Sequence, residues 1–140
     1  MDRKRIGKSA RNKGAGAERE LANLIRDTWG YQTRRGYVFE HQSDVIGLPG
    51  IHMEVKRVEK LNVRAAMDQA KRESQIRCDG IPVVFHRKNY GKWKVTMELG
   101  DLVELLGYTG CIDNTLATVS LADWIDIYGG WINESMQHDS

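Results

Sequence analysis

Apolar and polar positions change period several times along the 140-residue chain, and each change marks an element. From Gly16 the period is helical: Ala17, Leu21, Leu24, Ile25 and Thr28 share a face, and Gly30 is a plausible stop. Glu18 lies close to that apolar side, where a carboxylate is costly unless it has a partner. Residues 31–38 are mixed: Thr33 and Tyr37 favour a strand, while Arg34-Arg35-Gly36 reads as a turn or an edge. Asp44-Val45-Ile46-Gly47 predicts a short strand, Pro49-Gly50 a turn, and Ile51 to Val58 a cleanly alternating strand. In that strand Met53 and Val55 point one way and His52, Glu54 and Lys56 the other, and the two segments read as a hairpin.

Farther on, Asn62 is placed to cap a helix reaching Cys78, with Val63, Ala66, Met67 and Ala70 as its apolar face. Ile81 to His86 predicts a buried strand, Asn89-Tyr90-Gly91 a turn, and Lys92 to Met97 the returning partner. Asp101 is expected to cap a short helix through Leu106, and residues 107–119 read as a weakly patterned loop. Ser120-x-x-Asp123 resembles a capping box before a last helix with Trp124, Ile125 and Tyr128, which Gly129-Gly130 is expected to end. No internal repeat is present. The order of elements predicts a mixed α/β domain.

Charge changes the picture more than composition does. The formal net charge is only +2, but all 21 Lys and Arg lie at or before Lys94. With 11 acids in that stretch and 8 after it, the chain divides into a basic body of +10 and an acidic end of −8. A basic body of this kind points to a polyanionic partner, most simply nucleic acid. No apolar run approaches the roughly 18 residues of a membrane span, and no apolar core follows the basic N-terminus as in a signal peptide. Cys78 and Cys111 are far apart and form no CxxC pair, which argues against a zinc site or a disulfide framework and suits a reducing cytoplasm. The expected organisation is a flexible basic arm at 1–13, a core at 14–106 and an acidic extension at 107–140.

The strongest constellation is Asp44, Glu54 and Lys56, with Glu18 behind it. On adjoining hairpin strands the carboxylates of Asp44 and Glu54 can come within a few ångströms, where they repel unless a divalent cation sits between them. Mg²⁺ suits hard oxygen donors, polarises a phosphate and lowers the pKa of a bound water. Lys56 is suited to orienting that water or stabilising developing negative charge, and Glu18 to completing the shell. A glutamate and a lysine two apart on a strand are also commonly a solvated ion pair. The buried-side Glu18, the Pro-Gly turn and the basic surroundings favour the site.

The run Lys13-Gly14 to Ala17-Glu18-Arg19-Glu20-Leu21, then Ser43-Asp44-Val45-Ile46, then Glu54-Val55-Lys56, resembles the PD-(D/E)XK nucleases. Within them it is most similar to the archaeal-type Holliday-junction resolvases and their phage relatives, over residues 13–97. The resemblance implies a restriction-endonuclease-like core, a mixed sheet flanked by helices, and a homodimer cutting branched DNA with Mg²⁺, for which Mn²⁺ substitutes. It implies Glu18, Asp44 and Glu54 as acidic site residues, with the Val55 carbonyl as a further metal donor and Lys56 as the catalytic lysine. Gln69 matches a glutamine that supports such sites; as a surface amide it would do nothing. Ser43 stands where the family usually has proline. The resemblance also implies a phage or prophage setting inside a bacterial host.

Candidate DNA contacts are Lys13, Arg34, Arg35, His52, Arg57, Lys60 and Arg64, with the plain exposed side chain as the alternative for each. Arg87, Lys88, Lys92 and Lys94 flank Tyr90 and Trp93, a mixture that serves nucleic acid or protects a sheet edge. The aromatic residues of the acidic end belong to the core or to a dimer interface, or the acidic segment is placed away from DNA so that like charges do not meet phosphates. Three readings stay open: a four-way-junction resolvase, a related nuclease with another DNA substrate, and an inactive DNA-binding module.

Overall fold

The structure is a computed structural model that describes the backbone of residues 3–37 and 43–138 and the side chains of residues 15–37 and 43–137. Helix α1 (Arg3–Trp29) opens the chain, followed by β1 (Arg34–Arg35), β2 (Val45–Ile46), β3 (Ile51–Arg57), α2 (Val63–Arg77), β4 (Ile81–Arg87), β5 (Lys94–Glu98), α3 (Leu99–Leu105), β6 (Leu116–Ser120) and α4 (Leu121–His138). The helix expected from Gly16 thus begins at Arg3, within the stretch read as an arm, and ends before Gly30 at φ +84°. The strands form one mixed six-stranded sheet in the order β1-β2-β3-β4-β5-β6. All neighbours are antiparallel except β3 and β4, which run parallel because α2 carries the chain across between them. Both expected hairpins are present.

Alternation along the central strands sends odd and even positions to opposite faces. The odd residues Met53, Val55, Val83, Phe85, Val95 and Met97 meet Leu21 and Ile25 of α1 and Trp124, Ile125 and Tyr128 of α4 in the main core. Trp124 lies edge-on to Phe85 at 5.2 Å between ring centroids and stacks on Tyr128 at 5.4 Å. The even face is covered by α2, whose Ala66, Met67 and Ala70 pack with Val84 in a much smaller apolar cluster. Asn62 caps α2 as expected, its side chain accepting a hydrogen bond from the Ala65 amide at 3.0 Å.

The end of the chain departs most from expectation. Part of the expected loop is β6, which pairs with β5 from Lys94↔Ser120 to Glu98↔Leu116. Asp101 lies in the first turn of α3 and is not its cap; Glu98 holds that position without a side-chain bond. Ser120 does cap α4, accepting from the Asp123 amide at 3.1 Å. Gly129-Gly130 does not stop the helix, because Trp131 beyond it packs on the core and Tyr31 comes close to Gly129 where a side chain would stand. β6 joins the sheet and α4 packs into the main core. The exposed acids of α4, Asp123 and Asp126 among them, stand on the sheet face opposite α2.

Candidate metal centre

The even positions of β3, His52, Glu54 and Lys56, lie under α2, and both His52 and Glu54 are buried, at 0% and 1% exposure. Such polar burial requires partners. His52 Nδ1 lies 2.9 Å from Asp79 Oδ1 and 2.9 Å from Ser43 Oγ, and Ser43 itself donates to Asp79. Asp79 is placed by the tight turn entering β4, where a Cβ on Gly80 (φ +131°) would collide with the Gly50 carbonyl. On the other side of the ring, Nε2 lies 3.3 Å from Glu54 Oε2 and 3.9 Å from Glu73 Oε2.

From the helix side, α2 presents Gln69 and Glu73, one turn apart. Lys56 Nζ donates to Gln69 Oε1 at 3.1 Å, and Gln69 Nε2 donates to Glu73 Oε1 at 3.3 Å. Contacts therefore run from Lys56 through Gln69 and Glu73 to Glu54, His52 and Asp79. Asp44 enters from the segment before β2, and its Oδ2 accepts the Val55 amide at 2.9 Å. The amide of Val55 thus anchors an acid of this cluster.

Electrostatics marks this as a place of crowded carboxylates. Burial pushes the Asp44 carboxyl up to about 6; the charges of Glu18 and Glu73 add to that, while the Val55 amide and Lys56 oppose it. Burial likewise raises Glu54, helped by Asp44 and Glu73 and opposed by the hydrogen bond from His52. For His52, burial is the largest influence and lowers its pKa, but bonding to Glu54 and Asp79 outweighs it and the net shift is upward. The metal-free site thus favours a proton on the ring between two carboxylates.

The residues fit a divalent cation. Donor atoms of His52, Glu54 and Glu73 all lie within 4.8 Å of one another, the one such group among the described residues. Carboxylate oxygens suit Mg²⁺ or Mn²⁺, and an imidazole whose far nitrogen is held by Asp79 has the support that metal-binding histidines need. Asp44 is outside that tight group but close enough for its charge to raise Glu54. Cation binding would relieve the mutual repulsion that adds to burial in lifting both carboxyls.

Glu18 has the partner its position demanded: Arg35 Nε donates to its Oε2 at 2.6 Å. Arg35 therefore holds an acid of the site, and Glu18 is near enough to act on Asp44. His52 is a correction, since α2 covers it completely and excludes it from direct contact with DNA. Arg57 is also engaged, its Nη1 lying 3.1 Å from Glu20, which Arg87 grips as well. Arg34 is exposed and stacks over Tyr37 at 4.6 Å. Lys60 is exposed, and Arg64 is exposed but donates to the Asn114 carbonyl at 2.6 Å. The Lys13 side chain lies outside the described residues. Trp93 is buried and donates to Glu20 at 3.1 Å, so the hairpin offers Tyr90 alone as an exposed aromatic.

Sequence reasoning missed Ser43 as a partner, Glu73 and Asp79. Glu73 was detectable as the residue four after Gln69; Asp79 and Ser43 meet His52 only through tertiary structure. The chain matches no protein-family model, and a search of curated proteins finds no match.

Proposed function

We infer that this chain is a metal-dependent endodeoxyribonuclease with a restriction-endonuclease-like core, acting on branched DNA and most simply on four-way junctions. The observation that carries this reading is the meeting of Asp44, Glu54 and Lys56 on one side of the sheet, Glu54 buried and Asp44 half-buried, both acids raised while Gln69 holds the lysine. A set of carboxylates this costly to ionise is weakly justified by folding alone. It also disfavours an inactive DNA-binding module, which has no use for acids where phosphates must come.

In the mechanism we propose, Asp44 and Glu54 would hold the cation, with Glu73 and His52 as further donors in reach and Glu18 beside them. When bound, the cation supplies Lewis acidity at a phosphate oxygen and a lowered pKa for an attacking water. Lys56, fixed by Gln69, stabilises negative charge developing on the phosphate. Water adds to phosphorus as the bond to the 3′ oxygen breaks, and a proton passes to that oxygen. Arg35 keeps Glu18 in place, and the Val55 amide fixes Asp44. A second copy of the chain supplies the second cut that a four-way junction requires.

Labelled four-way junction, flap and linear duplex incubated with Mg²⁺, with every strand mapped, test the reading. Paired symmetric nicks in the junction, with linear duplex spared, are expected. Cuts confined to flap or duplex would keep the nuclease and change its substrate. No Mg²⁺- or Mn²⁺-dependent cut in any DNA would overturn the assignment.

A further inference from the structure

A second feature of the α2 face stands apart from the carboxylates. A cavity of about 330 Å³ lies where the β4–β5 hairpin faces the connection from β3 into α2. Its floor is apolar, formed by Val58, Leu61 and Val63. Around its mouth stand Lys88, Lys92 and Lys94, all exposed, and among the described residues none of the three has an acidic ion-pair partner. Glu59 also lines the cavity, but it accepts the Asn89 amide at 2.8 Å and so serves the hairpin turn.

The register ties the cavity to the candidate site. Lys56 pairs with His86, and His86 with Lys94, so one row crosses three strands directly beside the row containing Glu54. Two strand spacings separate Lys56 from Lys94, about 10 Å. A strand whose phosphate reached Lys56 would meet the cavity next. The volume lies near the lower bound of roughly 300–1,000 Å³ for small-ligand sites, room for one nucleoside and far too little for a duplex.

We propose that this cavity is a nucleotide subsite that takes one unpaired nucleotide of a bound DNA strand, its base against Val58, Leu61 and Val63 and its flanking phosphates on Lys88, Lys92 and Lys94. The apolar floor accepts a base removed from its stack, and the lysines supply the phosphate charge compensation that an apolar pocket lacks. The fully exposed Tyr90, at the tip of the same hairpin, stands where a neighbouring base would stack. The proposal rests on the reading of the chain as a DNA enzyme, but not on its catalysis.

The test is photocrosslinking in EDTA of a junction carrying one unpaired 5-iododeoxyuridine at the branch, with the adduct located by mass spectrometry. Adducts within residues 58–63 or 86–94 are expected. The combined Lys88→Gln, Lys92→Gln, Lys94→Gln variant changes only exposed side chains. It should lose the adduct, bind the junction at least tenfold more weakly at about 0.15 M salt, and show a salt slope lower by about two to three. Adducts confined to other segments, unchanged binding by the variant, or no binding of the junction would each overturn the proposal. Free thymidine monophosphate is the second arm; saturation by it with no uptake of the oligonucleotide would also overturn the strand form of the site. Because no cleavage is involved, an adduct in the cavity of a protein that never cuts DNA would sustain this proposal while defeating the catalytic reading. Cutting with adducts elsewhere would do the reverse.

Discussion

The two faces of the sheet are built from the same strands and have opposite characters. On the α1/α4 face, β3 contributes Met53 and Val55 to a continuous core of aliphatic and aromatic side chains. On the α2 face, the alternate residues His52 and Glu54 are as deeply buried, but among carboxylates. Among the described residues, the buried apolar ones there are Ala66, Met67, Ala70 and Val84, a small cluster. Burial stabilises one face through removal of apolar area from water. On the other it raises Asp44 and Glu54 against their own charge, a tension characteristic of functional sites. One face holds the fold together, and the other spends part of that stability on a preformed charge cluster.

Breaking the polar face should cost activity rather than stability. Glu54→Gln or Lys56→Ala is expected to reduce DNA cleavage by at least about a thousandfold, the scale of losing a main electrostatic contributor. Junction binding in EDTA should stay within a few-fold of wild type. A gel-based rate comparison with parallel binding isotherms checks this, and cleavage near the wild-type rate would remove these residues from the mechanism.

Breaking the apolar face should do the opposite. Trp124→Ala empties a fully buried site between Phe85, Met97 and Tyr128. It should destabilise the protein by about 3–5 kcal/mol in urea titration. A loss under about 1 kcal/mol would mean that α4 contributes little to the core.

Asp44→Asn sharpens the contrast through its sign. The Asp44 carboxyl rises from 3.8 to about 6 on folding. The folded state therefore binds the proton more tightly than the unfolded chain. Relative to an uncharged residue, the penalty is absent below about pH 4, grows from there through pH 6, and is complete above it. Asparagine can still accept the Val55 amide, so the metal-free variant should gain about 1–3 kcal/mol at pH 8 and close to nothing at pH 4. Thermal melts in EDTA at the two pH values measure this. A variant less stable than wild type at pH 8 would show that Asp44 is not strained.

The smallest expected effect is at the cap that begins the covering helix. Asn62→Ala should cost about 1 kcal/mol by removing the bond to the Ala65 amide. Urea titration reads it, and no change would assign the start of α2 to tertiary packing alone.

This contrast was half legible in the sequence. Strict alternation in Ile51–Arg57 separated the two faces of β3, and the motif residues Asp44, Glu54, Lys56 and Gln69 all reach the same neighbourhood. What alternation does not encode is what covers each face. His52 looked exposed because nothing local to it announces that α2 will fold over it. Its partners, Ser43 and Asp79, lie 9 and 27 positions away in sequence. At the chain's end the missed strand β6 is half-buried, so its periodicity is shallow. The helix-breaking tendency of Gly129-Gly130 is overridden by packing of Trp131 and Ile132 against the main core.

Whether the α2 face binds a divalent cation, as proposed, is decided by Mn²⁺ titration calorimetry of the wild-type protein and Glu54→Gln at pH 7.5. Saturable binding by the wild type is expected, accompanied by proton release, since the metal displaces protons from His52 and Glu54, both of which are shifted upward. Glu54→Gln, with its fold intact by circular dichroism, should lose most of that affinity. Equal binding by the two proteins, or none by the wild type, would contradict the proposal.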